Sequence, residues 1–186
     1  MKILFLALAA LLVAGCATTV VHDRPESVRM GGVALDAAPL VEALRTRKGV
    51  LVQAVDGAWR DRTFQAQCVM KGDGEKLTVV FLAPQVRLVT ITVEKPCRVS
   101  CERVPQIPQS FEPEYALADL AFVNLETDAL RRALAPTHRV EESGTTRRIL
   151  TAAGTAVAEV ERRGDGTVVL RNLEHGYSYT LKTIGG

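Results

Sequence analysis

The chain has 186 residues, 47% of them hydrophobic and 24% charged, with a formal net charge of +2. That composition supports one folded domain with a substantial core. It gives no basic excess for nucleic acid and no acidic run for an interaction tail, so neither kind of partner is expected.

In chain order the first element is a leader, MKILFLALAALLVAG, with one cation, Lys2, before an apolar run from Ile3 to Val13. The run has the length of a signal-peptide core and falls short of the ~20 residues a membrane-spanning helix needs. It closes on Val13-Ala14-Gly15-Cys16, which resembles the bacterial lipobox. The lipobox rule implies cleavage before Cys16, a diacylglyceryl group on its thiol and acylation of its new amino group. One acyl chain binds a membrane only marginally, whereas several on one residue hold it firmly. Ala17 follows, where Asp would be the common inner-membrane retention signal, so the rule sends the protein to the periplasmic face of the outer membrane. Residues 1–15 are thus the expected signal peptide, and Cys16 the expected lipid attachment site.

Residues 16–35 show no regular apolar period, and Pro25 and Gly31-Gly32 interrupt them. They read as a tether. Residues 36–186 are expected to form a single domain. Its first element is a short helix from Asp36 to Arg47, with Leu40, Val41 and Leu44 on one face and Pro39 in the first turn.

Five strand-like runs follow: GVLVQAVDG, WRDRTFQAQCVMKG, EKLTVVFLA, VRLVTITVEK and CRVSCERV. In TFQAQCVM, Phe64, Ala66, Cys68 and Met70 alternate with polar neighbours. Breaks this short permit an antiparallel meander and leave no room for parallel crossovers. PQIPQSFEP interrupts the pattern. Glu114 to Leu125 then reads as a helix, and Thr127 as the cap of a second one carrying Leu130 and Leu134. Pro136 ends that helix. Five more strands close the chain, HRVEES, TTRRILTA, TAVAEVERR, TVVLRNL and YSYTLKTI, with glycine-bearing turns between most of them. The expected fold is α+β: a strongly curved antiparallel sheet of about ten strands, a half-open barrel, with helices on its concave face.

The stretch ALADLAFVNLETDALRRALAPTHRVEESGTTRRILTAAGTAVAEVERR, with VVLRNLEHGYSYTLKTI, is similar to an uncharacterised family of bacterial outer-membrane lipoproteins. The similarity covers most of residues 45–184. Its most specific parts are Leu117-Ala118-Asp119-Leu120 and Asn172-Leu173-x-x-Gly176-Tyr177. Where the family usually shows an aromatic residue followed by proline, this chain has Asn124-Leu125. The resemblance implies a lipoprotein-localisation-factor (LolA/LolB-like) fold, a half-open barrel around an apolar cavity. It also implies a genomic setting beside aryl-polyene or other fatty-acid-like biosynthesis genes. No catalytic residue comes with it.

The residues themselves offer no catalytic constellation. Gly176-Tyr177-Ser178-Tyr179-Thr180 lacks the closing glycine of a nucleophile elbow. His22, His138 and His175 stand alone, and no metal or nucleotide motif is present. No cofactor is expected, and no enzymatic activity. Arg163-Gly164-Asp165 lies in a hairpin turn that needs Asp-Gly for its geometry. The arginine pairs 131–132, 147–148 and 162–163 read as solvated surface beside Glu141, Glu142 and Glu161. Cys68, Cys97 and Cys101 read as buried small apolar residues, with a bridge to Cys68 left open.

Val79, Phe81, Leu88, Ile91, Val93, Phe122 and Leu125 are candidates to line a cavity between sheet and helices. Sequence does not separate such a lining from an ordinary filled core. The reading that follows is a monomeric, non-enzymatic lipoprotein. Lipidated Cys16 anchors it to the membrane, and its apolar cavity receives an acylated protein or lipid-like cargo. The alternative is a structural or assembly lipoprotein that binds other envelope proteins and holds no small ligand.

Overall fold

The computed structural model describes residues 17–59 and 62–185, so Cys16 and the leader lie outside the described residues. The chain runs β1 (Thr18–His22), β2 (Val28–Met30), β3 (Val33–Leu35), α1 (Ala38–Thr46), β4 (Gly49–Trp59), β5 (Arg62–Gly72), β6 (Lys76–Ala83), β7 (Val86–Glu94) and β8 (Arg98–Arg103). After the helices α2 (Pro113–Asn124) and α3 (Thr127–Leu134) it continues through β9 (His138–Ser143), β10 (Thr146–Thr151), β11 (Ala156–Arg162), β12 (Thr167–Asn172) and β13 (Tyr177–Gly185).

Eleven strands form one sheet in the order β1-β8-β7-β6-β5-β4-β13-β12-β11-β10-β9, and β2 and β3 pair separately. Every pairing in the large sheet is antiparallel. The two meanders meet where β13 pairs with β4. β1 and β9 do not pair with each other, so the sheet is open, consistent with a curved half-barrel.

Strand alternation decides which face is inner. Leu51, Met70, Val79, Ile91 and Cys101 lie opposite one another across five strands. The last four of these are buried. The helices pack on this same face. α1 lies against β5, β6 and β7, and α2 lies between α1 and β12. Leu40, Val41 and Leu44 of α1 are fully buried, as their spacing predicts. In α2 every residue from Leu117 to Val123 is buried, because a helix apolar on nearly all sides has no face to give to water.

Residues 18–35 correct the tether reading. β1 adds to the free edge of β8, with Thr18 opposite Arg103 and His22 opposite Val99. Val28, Met30 and Leu35 are at most 1% exposed within the core. Five- and three-residue strands are too short to show a period, yet they cover an edge and fill a gap that would otherwise meet water. The described residues therefore hold thirteen strands, eleven of them in the large sheet, where about ten were expected.

Thr127 does not cap α3 as its position suggested. The helix has no side-chain cap, and the Thr127 hydroxyl donates to Glu142 Oε1 at 2.6 Å.

Candidate functional site

Asp119 is the one acidic residue within the buried run of α2, and it is 4% exposed. Tyr177, the first residue of β13, donates its hydroxyl hydrogen to Asp119 Oδ2 at 2.7 Å. Asn172, the last residue of β12, donates from Nδ2 to the Tyr177 oxygen at 2.9 Å, and its Oδ1 accepts the His175 amide at 2.9 Å. The two sequence motifs thus meet as one hydrogen-bonded node. Among the described residues Asp119 Oδ1 has no hydrogen-bond partner. Burial raises the Asp119 carboxyl to about 7, only partly offset by hydrogen bonds from Tyr177 and Asn172. Burial, with the Asp119 charge behind it, also pushes the Tyr177 hydroxyl well above its ordinary range.

An aromatic chain runs outward from this node. The rings of Tyr115 and His175 meet edge to face at 4.9 Å, and His175 stacks with Tyr177 at 6.2 Å. Tyr177 and Tyr179 lie 5.0 Å apart, and Tyr179 meets Phe64 edge to face at 5.9 Å. Phe64 is 43% exposed although it lies on the inner face, opposite Gly57. A Cβ on Gly57 would come within 1.9 Å of the Phe64 ring, so the glycine is the floor on which that ring rests.

The strand ends around this chain make up one end of the sheet, termed the mouth below. Phe81, Leu88, Ile107 and Phe111 pack against the core while remaining half-buried. The loop carrying Ile107 and Phe111 is held by Arg103, which donates to the Phe111 carbonyl at 2.9 Å, and by the Val104 amide, which donates to the Leu88 carbonyl at 3.1 Å.

The far end of α2 is different in kind. Arg147 Nη1 donates to the carbonyls of Phe122 and Leu125 at 2.8 and 2.9 Å. Arg162 donates to the carbonyl of Val123 at 3.1 Å, and Arg47 to that of Asn124 at 3.0 Å. Three guanidinium groups thus satisfy the last carbonyls of α2 and oppose its dipole. A polar cleft of about 450 Å³ opens beside them, lined also by Leu51, Asn124 and Leu125. Arg147 is 3% exposed, which corrects the reading of its pair as solvated surface. Burial, reinforced by the nearby Arg147 charge, lowers the Arg162 guanidinium from its ordinary value.

The seven candidate lining residues separate into three groups. Val79, Ile91, Val93 and Phe122 are fully buried in the packed core. Phe81 and Leu88 belong to the mouth. Leu125 lines the polar cleft. Cys68, Cys97 and Cys101 are free thiols. Burial pushes Cys68 up to about 12 and Cys101 up to about 11, which makes both poor nucleophiles. Sequence reasoning missed the Asp119–Tyr177–Asn172 node. Its signal was a lone carboxylate among Leu117, Ala118, Leu120, Ala121 and Phe122, which needs a buried donor.

One solved structure, a domain assigned to outer-membrane lipoprotein sorting in Vibrio parahaemolyticus, is similar at 11% identity. The comparison covers 80% of this chain and 89% of that one with a TM-score of 0.38, so the topology described above stands on its own strand order. A comparison with curated proteins finds no match. The family whose pattern spans residues 50–185, from β4 to the end of β13 and through both motifs of the buried node, is the one described as protein of unknown function (DUF3261), and this chain belongs to it.

Proposed function

We propose that this protein is an envelope lipoprotein, anchored at the periplasmic face of the outer membrane through Cys16. It receives an acylated or lipid-like cargo at the mouth of the half-barrel without covalent chemistry. One observation carries the reading: the apolar inner face continues past the packed core into the half-buried side chains of Phe81, Leu88 and Tyr179 and the exposed ring of Phe64. Ordinary packing would have closed these positions. Apolar burial gains roughly 0.8 kcal/mol per CH₂, so each part of an acyl chain that these side chains cover recovers what it loses on leaving a membrane. Exchange between the two sites then needs no energy source beyond a small affinity difference.

Native mass spectrometry of the mature protein, purified from the producing bacterium without detergent, tests this. A co-purifying lipid or acyl conjugate of defined mass supports the carrier reading. A clean apo mass, with no uptake of added fatty acid or lipopeptide, sinks it. The structural or assembly alternative then gains, and the closed packing of Val79, Ile91, Val93 and Phe122 favours it.

A further inference from the structure

We infer that the mouth end of the sheet lies flat against the lipid bilayer, docked through the loop 104–111 and the β6–β7 turn. This rests on the reading of Cys16 as the anchor. Thr18, the first residue of β1, pairs with Arg103 at the mouth end of β8. Arg103 in turn faces Val89, and Val104 bonds to Leu88. Cys16 lies two residues before Thr18, and two residues span at most about 7 Å. No slack separates the anchor from the fold. Lipid on Cys16 would therefore enter the bilayer beside the loop 104–111.

The turns nearest β1 differ between the two ends of the sheet, while further round the mouth end the β4–β5 connection holds Arg60 and Asp61 and the β12–β13 turn holds Glu174. At the mouth the loop Val104-Pro105-Gln106-Ile107-Pro108-Gln109-Ser110-Phe111 carries no charge, and the turn Pro84-Gln85 leads into Val86, which is 46% exposed. Leu173, in the β12–β13 turn at the same end, is 50% exposed. At the opposite end the turns hold Asp73, Glu75, Lys95, Arg163 and Asp165. That end exposes Val50 and Ile184 as well, so the charge of the turns nearest β1, and not apolar exposure, separates the two ends. Uncharged, proline-rich tips with isolated apolar side chains suit a headgroup boundary, where charged tips would lose hydration. The cargo mouth then opens onto the membrane itself.

The test uses the full-length lipidated protein in vesicles of phosphatidylethanolamine and phosphatidylglycerol that carry a headgroup-proximal diazirine phospholipid. Flotation and palmitate labelling at Cys16 are read first; if both fail, the anchor reading falls and the docking falls with it. If the protein floats, photo-adducts are expected on residues 84–88 and 104–111, and none on 71–76 or 163–166. Equal adducts at both ends, or no adducts on the folded domain, overturn the docking while the anchor stands. Adducts confined to Phe81 and Tyr179 would mean a lipid bound as cargo, and they overturn the docking too.

Discussion

Tyr177 and Asp119 are joined by a 2.7 Å hydrogen bond that ties the start of β13 to the middle of α2. The bond locks the helix against the second meander, and the Tyr177 ring then continues the aromatic chain to Tyr179 and Phe64. One contact therefore couples the core to the mouth.

That coupling has a pH signature. Burial raises Asp119 from 3.8 to about 7. Across that window the folded protein holds a proton that the unfolded chain has released. Stability therefore falls as pH rises from about 4 to about 7. Asp119→Asn keeps an acceptor for Tyr177 and removes the titration. Urea midpoints measured from pH 4 to 8 should decline for the wild type, and the Asn variant should lose most of the decline below pH 7. An unchanged slope would exclude Asp119 as its source. Tyr177→Phe leaves the carboxylate without its donor, and should cost about 1–3 kcal/mol at neutral pH.

A second titration holds β1 in place. His22 Nδ1 lies 2.8 Å from Glu114 Oε1, and this hydrogen bond raises the imidazole above its usual 6.5 against the opposing effect of burial. The stabilisation is complete below about pH 6.5 and is lost as pH rises through the folded value. Hydrogen exchange, corrected for intrinsic rates, should show β1 amides opening more readily at pH 8.5 than at pH 6. His22→Gln should remove the difference. Protection of residues 18–22 that ignores pH would show that strand pairing alone retains β1.

Arg147 is the buried cation most sensitive to substitution. Its guanidinium serves the Phe122 and Leu125 carbonyls, Thr127 Oγ1 and Glu142 together. Arg147→Ala leaves two carbonyls without donors and should cost about 3 kcal/mol or more. Arg147→Lys should recover little, since a point charge does not reproduce the fork. The neighbour Arg148, exposed and paired with Glu159, should tolerate Ala with a change under about 0.5 kcal/mol. Thermal denaturation of the three variants separates these outcomes.

The Gly57–Phe64 pair can be isolated by a double-mutant cycle. Gly57→Ala should swing the exposed Phe64 ring outward, break its contact with Tyr179 and cost about 1 kcal/mol. In a Phe64→Ala background the same change should cost almost nothing. Additive costs would locate the clash elsewhere. Binding of a fluorescent fatty acid, measured in parallel, should weaken with Phe64→Ala if the mouth receives acyl chains.

The elements were legible wherever the period was long enough to read. β4 through β13 and all three helices fall within a few residues of their predicted spans, because alternation at 2 and recurrence near 3.6 report burial directly. The expected leader and lipobox rest on the sequence alone, on a run of apolar residues and a cysteine outside the described residues. Residues 18–35 were not legible. Their strands hold five, three and three residues, and what fixes them is a vacant edge on β8 and space in a core built by later sequence.

The node shows the same division at single residues. The sequence marked Asp119, Asn172 and Tyr177 as parts of two motifs, but a motif does not say where its side chain points. Folding brought together a donor and an acceptor 58 residues apart, and burial then decided their protonation. The seven apolar candidates were named from apolar strand and helix runs. Their division into core, mouth and cleft depends on where α1, α2 and the loop 104–111 lie over the sheet. Hydrophobic pattern determines which face avoids water; only the packing of distant elements determines how much of that face stays open.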